Sequence, residues 1–435
     1  MKSTLLFLTG LLALTSAYSA GPAAPAKVSE VSQYGITWSF DKPTLAGQYV
    51  SGDWWVVGPV TIQKYAPEST EELNGSVINP PAGIKQGYDK RLPDYDPSLR
   101  VAFPVTLKPG ESLVSTISLE KTGEVPPDSI SRAAHKETAL HTAAVLTCVK
   151  EAPPFDAFRP AYVGTWKENF RASQLHREFL PALNPVTAQP DLPRLQRTFE
   201  RIWLDHKRDF SSNYMHPMAN MPEYGRDMTT AISSAALALL LKNPDEVLLY
   251  DYVQKGIDYY GVTQSDNKIW VANGGHDSGR KWPILFAGIL LAHDGMRHVD
   301  AAFQEDEQTY YGKGFKGQTV LWSIRPGTPN GNHEETDPAT WDTSGKGINN
   351  GTRAESYRKL NGPTWIGQAL AARLMGAMGI WNHPAFFDYV DRWVKEEGDA
   401  GFYKQVFIQQ MWTEYRPQSD TIGTAEAGKW NTKNR

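Results

Sequence analysis

Two stretches of this chain are apolar on every side of the helix they would form, and nothing else constrains the fold as tightly. Ala231 to Leu241 and Ile284 to Leu291 carry almost no polar surface, so each must be covered by neighbours on most sides. They belong to a larger set. Apolar residues recur at helical spacing in Leu195 to His206, Asp227 to Leu241, Pro244 to Tyr260, Trp282 to Val299, Thr364 to Ile380 and Pro384 to Lys395. Buried helices of this kind pair into layers, and consecutive antiparallel pairs with buried inner members are what an (α/α) toroid or barrel requires. The alternative is an irregular helical domain. The toroid is favoured because the connecting segments are long, aromatic and rich in Gly, Asn, His and Arg, the composition of functional loops on a rigid scaffold. No repeat of fixed period is visible, which argues against a solenoid.

Before Pro153-Pro154 the periodicity is that of strands. Ile36 to Phe40, Trp54 to Ile62, Val101 to Leu107, Leu113 to Leu119 and Ala143 to Val149 are short runs of β-branched and aromatic residues, separated by turns such as Ser51-Gly52-Asp53 and Pro109-Gly110. The run Trp54 to Val60 is too continuously apolar for a strand with one wet face. Two-sided burial suits it, as in a sandwich whose outer face packs on another domain. The expected fold is therefore mainly α: a β-rich, sandwich-like region over residues 21–152, a toroidal catalytic body over 153–418, and a polar, flexible tail over 419–435.

The first twenty residues stand apart. Met1-Lys2, the apolar run Leu5 to Leu14 and the small residues Thr15, Ser16, Ala17, Ser19 and Ala20 form the three-part pattern of a secretory signal. The run is short of the roughly 20 residues that span a bilayer. Export to the periplasm or medium is the expectation, with no membrane insertion once the signal is removed. The single cysteine, Cys148, excludes an internal disulfide, and its apolar neighbours Val145, Leu146 and Val149 predict a buried thiol. A formal net charge of −4 supplies no basic field for nucleic acid. Fourteen Trp and nineteen Tyr exceed what a core needs. Most serve the core, but flat amphipathic rings also suit a sugar-binding cleft.

Three loop segments each stand at the mouth of an expected buried helix: Asn213 to Asp227, Trp270 to Arg280, and Asn349 to Arg358 leading into Asn361-Gly362-Pro363. Helix N-termini stabilise anions. Three of them converging with Arg226, Arg280 and Arg353 would make a positive pocket suited to a uronic acid carboxylate. β-Elimination at such a sugar has three demands: the carboxylate must be neutralised, a base must take the proton from the adjacent ring carbon, and an acid must protonate the departing oxygen. Asn220 and His276 are the candidates on the carboxylate side, with His276 also a possible base. Tyr357 is the candidate for proton transfer, tuned by Arg353 four residues earlier and on the same face of a helix. Tyr224, Arg226, Trp270, Asn273, Arg280, Asn350 and Asn361 are the candidate substrate contacts. Tyr310 and Tyr311, beside Gly312 and Lys313, line the cleft or compete for the proton-transfer role. Asn332 to Asp337 could be read as a metal site, but without a second spaced cluster it reads as a solvated loop. Neither metal nor cofactor is expected.

The helical body from about Ala161 to Tyr415 resembles the α/α-toroid polysaccharide lyases, and among them polysaccharide lyase family 38, whose members act on alginate or glucuronan. The Asn220, His276 and Tyr357 segments carry the likeness, being similar in order and spacing to the Asn, His and Tyr set that such lyases use without a metal. The stretch Gln308 to Asn350 is long for such a barrel. The resemblance implies metal-independent cleavage of an acidic polysaccharide. Two other classes stay open: a glycoside hydrolase on the same scaffold drawing on Glu223, Asp227, Asp277, Glu334, Glu335 and Glu355, or a non-catalytic glycan-binding protein.

Overall fold

The change of periodicity at Pro153-Pro154 is a change of architecture. The computed structural model describes residues 24–328, 331–341 and 351–431; the expected export signal and Asn350 lie outside the described residues. The strands are β1 Ala26–Gln33, β2 Ile36–Gln48, β3 Trp54–Val57, β4 Val60–Ala66, β5 Ser76–Ile78, β6 Val105–Leu107, β7 Ser112–Ser118 and β8 Leu140–Val149. They form one sheet in the order β5-β7-β8-β3-β2-β4-β6, with β1 against β2. Pairing is antiparallel throughout except between β3 and β8, where Trp55 faces Thr147.

A single curled half-barrel sheet thus replaces the expected sandwich. The physical reason lies in β8. Its alternate residues serve two cores: Ala144, Leu146 and Cys148 join Leu113, Val56 and Ile62 inside the curl, while Leu140, Ala143 and Val145 join the core of the helical body. With the helices covering its outer face, the sheet needs no second sheet. Trp54 to Val60 is divided in the same way, Val56 and Val60 facing the curl and Trp55 packing on Tyr49 and Ala157. Cys148 is buried, and burial pushes its thiol up to about 12.

The helices are α1 Leu192–Phe199, α2 Gly225–Leu239, α3 Glu246–Ser265, α4 Lys281–Leu290, α5 Asp294–Arg297, α6 Gln304–Glu307, α7 Gly351–Leu374, α8 Met378–Trp381, α9 Pro384–Glu397, α10 Val406–Tyr415 and α11 Ser419–Trp430, with a hairpin of β9 Thr309–Tyr311 and β10 Val320–Trp322 after α6. At 39% helix and 18% strand the chain is mixed rather than mainly α. Every residue of α4 is buried, and so is the last part of α2 from Ala235 to Leu239, as their all-round apolarity demands. The stretch expected to be a flexible tail is α11 instead. Trp430 ends it, is buried, and donates its indole N–H to the Met375 carbonyl at 2.9 Å, while Gly423 packs against the Arg373 carbonyl and Gly376; a large ring with a satisfied N–H and a close-packed glycine dock an otherwise polar helix.

Helix direction decides which ends meet. Tyr224 at the start of α2 lies beside Tyr357 near the start of α7. Further along both helices, Ser233 hydrogen-bonds Thr364 and Gln368. The two helices therefore run parallel and present their N-terminal ends on the same side. In contrast, Tyr252 packs on Phe286 while Gly256 abuts Pro283, so α3 and α4 run antiparallel.

Sheet and helices are joined through Arg159. Its guanidinium bonds Asp53, in the β2–β3 turn, at 2.7 Å and takes both carboxylate oxygens of Asp258 in α3 at 2.9 and 2.7 Å. All three side chains are buried. Removing one partner from such a group strands the others in the interior. Arg159→Leu is expected to lower the unfolding free energy by about 3–5 kcal/mol, measured by urea titration; a wild-type midpoint would show that the ion triad does not hold the two halves together.

Candidate functional site

The parallel run of α2 and α7 brings two phenols together. Tyr224 occupies the N-cap of α2 and Tyr357 the second turn of α7, close enough for Tyr357 to act on the Tyr224 phenol. A guanidinium covers each ring: Arg226 stands 5.7 Å from the Tyr224 centroid and Arg353 5.8 Å from that of Tyr357. The four-residue spacing of Arg353 and Tyr357 does place them on one face. Burial, and then Tyr357 beside it, push the Tyr224 phenol well above its ordinary value, against the pull of Arg226. Tyr224 is thus held as a protonated donor.

The second loop segment is pinned between these helices. At Gly225 a Cβ would fall 2.0 Å from the His276 carbonyl oxygen, so α2 can approach the loop only as glycine. Gly274 adopts φ +70°, and a Cβ there would come within 3.0 Å of Cε1 of Tyr357. Its carbonyl accepts from Asn361 Nδ2 at 2.9 Å and from Gln308 Nε2 at 2.8 Å. Asn361 therefore orients the loop from the middle of α7, rather than standing at a helix mouth. Asn273 is held by Arg325. His276 is buried, edge-on to Phe210 at 5.6 Å, with Nε2 3.0 Å from Asp277 Oδ2 in an orientation that makes no hydrogen bond. It lies beneath the phenol pair and not on its surface.

Several expected contacts are spent elsewhere. The Asn220 side chain is wholly buried, its amide nitrogen 3.2 Å from the Arg201 carbonyl and 3.4 Å from that of Thr198; it braces the segment after α1. Arg280 is buried too and bonds Asp205 twice, at 2.8 and 3.1 Å, so its charge is neutralised. The N–H of Gly279, beside it, points at the buried Glu305 carboxylate. The mouth of α4 is closed by protein carboxylates, Asn361 lies well inside α7, and α2 begins beside the Tyr224 phenol. Trp270 sits in the core between Tyr259 and Phe303 and offers no stacking face.

Tyr310 and Tyr311 lie on the β9–β10 hairpin and hydrogen-bond Glu335 at 2.8 Å and Asp388 at 2.6 Å. Burial and Glu335 push the Tyr310 phenol up, and the Asp388 hydrogen bond lifts Tyr311 to about 12. Carboxylates hold both phenols protonated, and neither is prepared to act as a base. Among the acids, Glu334 is taken by Arg392. Burial works to raise Glu355, but hydrogen bonds from His333 and Arg358 hold it down at about 2. Among the described residues no group of three or more His, Cys, Asp or Glu is placed to hold a metal ion, and no helix is long and apolar enough to cross a membrane.

One wall of the site has no counterpart in the sequence reasoning. His135, from the loop between β7 and β8, stands edge-on to Phe210 at 5.4 Å and Tyr214 at 5.2 Å, and 3.6 Å from Glu223. No local motif marks a histidine 75 residues before Phe210 as its neighbour. Glu223 is raised by burial, against the pull of His135. Comparison with protein-family models, curated proteins and solved structures finds no match for this chain.

Two outcomes test this geometry. Burial, opposed by Asp205 and reinforced by Arg280, pulls the His216 imidazole down to about 4. An unfolded histidine titrates near 6.5, so the unfolded chain binds the extra proton across that window and stability falls as pH drops from about 6.5 through 4, by at most ~1.4 kcal/mol per pH unit. His216→Asn should flatten that part of the urea-midpoint profile; an unaltered slope would place the loss on other groups. Gly274→Ala, strained and crowding Tyr357, should disturb the phenol pair, read as a changed Tyr357 aromatic resonance in NMR spectra with the fold retained.

Proposed function

We propose that the chain is a polysaccharide lyase that cleaves a uronic-acid polymer of the alginate or glucuronan type by β-elimination. The observation that carries this reading is the Tyr224–Tyr357 pair under two guanidinium groups at the N-terminus of α2. Such a site can meet all three demands of the reaction. Arg226, Arg353 and the first amides of α2 neutralise the sugar carboxylate and hold the charge that develops on it. Tyr357 takes the proton from C5. That electron pair forms the C4–C5 double bond as the C4–O bond breaks, and Tyr224 delivers its phenolic proton to the departing oxygen. His276, with Asp277 beside it, supports the loop from below. Asn220 and Arg280 hold the scaffold in this scheme.

The parallel run of α2 and α7 also favours the toroid, since inner helices of successive hairpins run parallel while each hairpin is antiparallel, as α3 and α4 are. An exported enzyme, freed of its leader, would meet such polymers outside the cytoplasm.

The test is direct. Purified protein given alginate, glucuronan and a neutral glucan should generate the ultraviolet absorbance of an unsaturated uronate from an acidic polymer alone. Tyr357→Phe should reduce the rate about 10²–10⁴-fold with the fold intact. New reducing ends without that absorbance would replace elimination by hydrolysis, and activity confined to the neutral glucan would overturn the substrate class.

A further inference from the structure

Alongside the phenol pair runs a groove of about 760 Å³ in which Arg226 is the one residue that the elimination scheme uses. Its size falls within the roughly 300–1,000 Å³ of ligand clefts. Four parts of the chain build it: the loop carrying Arg132, between β7 and β8; the segment leading into α1 and one side of that helix; the outer side of α2 from Arg226 to Ser234; and Lys404 with the start of α10. Arg226 and Glu223 mark the end where it meets Tyr224.

The charge along the groove is unequal. Arg132, Arg194, Arg226 and Lys404 line it together with Asp191, Glu223 and Asp227; Asp191 caps α1 by accepting from the Arg194 amide at 3.2 Å, Glu223 faces His135 at 3.6 Å, and Asp227 pairs with Arg226 at 3.2 Å. Arg132 and Lys404 are exposed on the rim. A groove with four cationic side chains against three carboxylates, Arg132 and Lys404 among the exposed ones, leans positive although the whole chain is acidic.

Next to Lys404, Tyr403 is 76% exposed. Both residues are left-handed, with φ +45° and +64°, and neither is glycine. Two consecutive strained positions persist only where the surroundings impose them, and such strain gathers at binding sites. Here it accompanies an aromatic ring that stands out in solvent. The Tyr403 phenol remains close enough to Arg226 to help hold its charge.

We infer that this groove binds the chain of an anionic polysaccharide next to the cleaved residue, with Arg132 and Lys404 contacting successive sugar carboxylates and Tyr403 stacking on a pyranose face. The inference rests on the lyase reading for its substrate class but not for its geometry. It also gives the β-rich half a function, since Arg132 reaches the groove from the sheet.

Binding and cleavage separate the two claims. In Tyr357→Phe protein, which retains bound substrate, calorimetric affinity for an alginate oligosaccharide is measured for the parent, for Arg132→Ala with Lys404→Ala, and for Tyr403→Ala. A neutral oligosaccharide serves as control, and circular dichroism checks the fold. The double substitution should weaken binding about fivefold to tenfold and make it less salt-dependent; Tyr403→Ala should weaken it with the salt dependence kept. Parent affinity in both variants, equal losses for the neutral control, or no binding by the parent overturns the groove. A wild-type chain that binds through these residues yet yields no unsaturated product leaves the groove standing and removes the lyase. Unsaturated product with KM unchanged in both variants does the reverse.

Discussion

The position of everything in this molecule depends on how one buried arginine is held. Arg159 carries a full charge in the interior, where desolvation alone would be prohibitive without close partners. It has them on both sides: Asp53 from the sheet, itself fixed by Ser51 at 3.1 Å, and Asp258 from α3. Gln254, one helical turn before Asp258, also clamps the backbone of Arg159, accepting from its N–H and donating to its carbonyl, each at 3.0 Å. Side chain and main chain are thus both referenced to α3. Apolar packing would tolerate a slide of the sheet over the helices; directional bonds to a planar guanidinium do not. The triad sets register more than it adds stability.

That register reaches the candidate site by short steps. The β7–β8 loop carries His135 against Phe210 and Tyr214, and Phe210 in turn lies against Tyr224 and His276. Arg201, just after α1, stacks on Tyr34 of the sheet at 4.1 Å and bonds Thr142 of β8 at 2.9 Å. The sheet is therefore more than an appendage to the helical body. It forms one side of the surface on which the phenol pair opens.

Element types are readable in the sequence where burial is extreme. Helices α2 and α4 declare themselves because no polar face interrupts them, and β8 because its β-branched and small residues run without a break. What stays hidden depends on partners distant in sequence. Arg226 and Arg280 look alike in their loops, each following a glycine. Only the fold shows that Arg280 is buried against Asp205, 75 residues away, while Arg226 is half-exposed over the Tyr224 ring and beside Asp227. Asn220 and Asn361 are, as sequence, equally plausible ligands for a sugar carboxylate, and both serve backbone carbonyls. The C-terminal stretch defies its composition for a related reason: most of its residues are polar, and docking comes from Trp430 together with the close approach of Gly423 and Ala427 to the turn at Gly376. Pro363 suggests a helix start, yet α7 passes through it, because the Asn361 and Gln405 contacts on either side hold the chain helical there.

The same distinction between buried and outward charge explains how an acidic chain can present a cationic face. Net charge counts every group once, but a buried arginine locked to a carboxylate contributes almost no field outside the protein. Arg159 and Arg280 belong to that class. Arg226, Arg353, Arg132 and Lys404 instead lie toward solvent at the helical ends and on the loop facing them. Local field at a cleft is set by these few outward groups and by the α2 amides, over distances shorter than the ~8–10 Å screening length of ordinary salt. A formal charge of −4 therefore says little about which polymer this surface can hold.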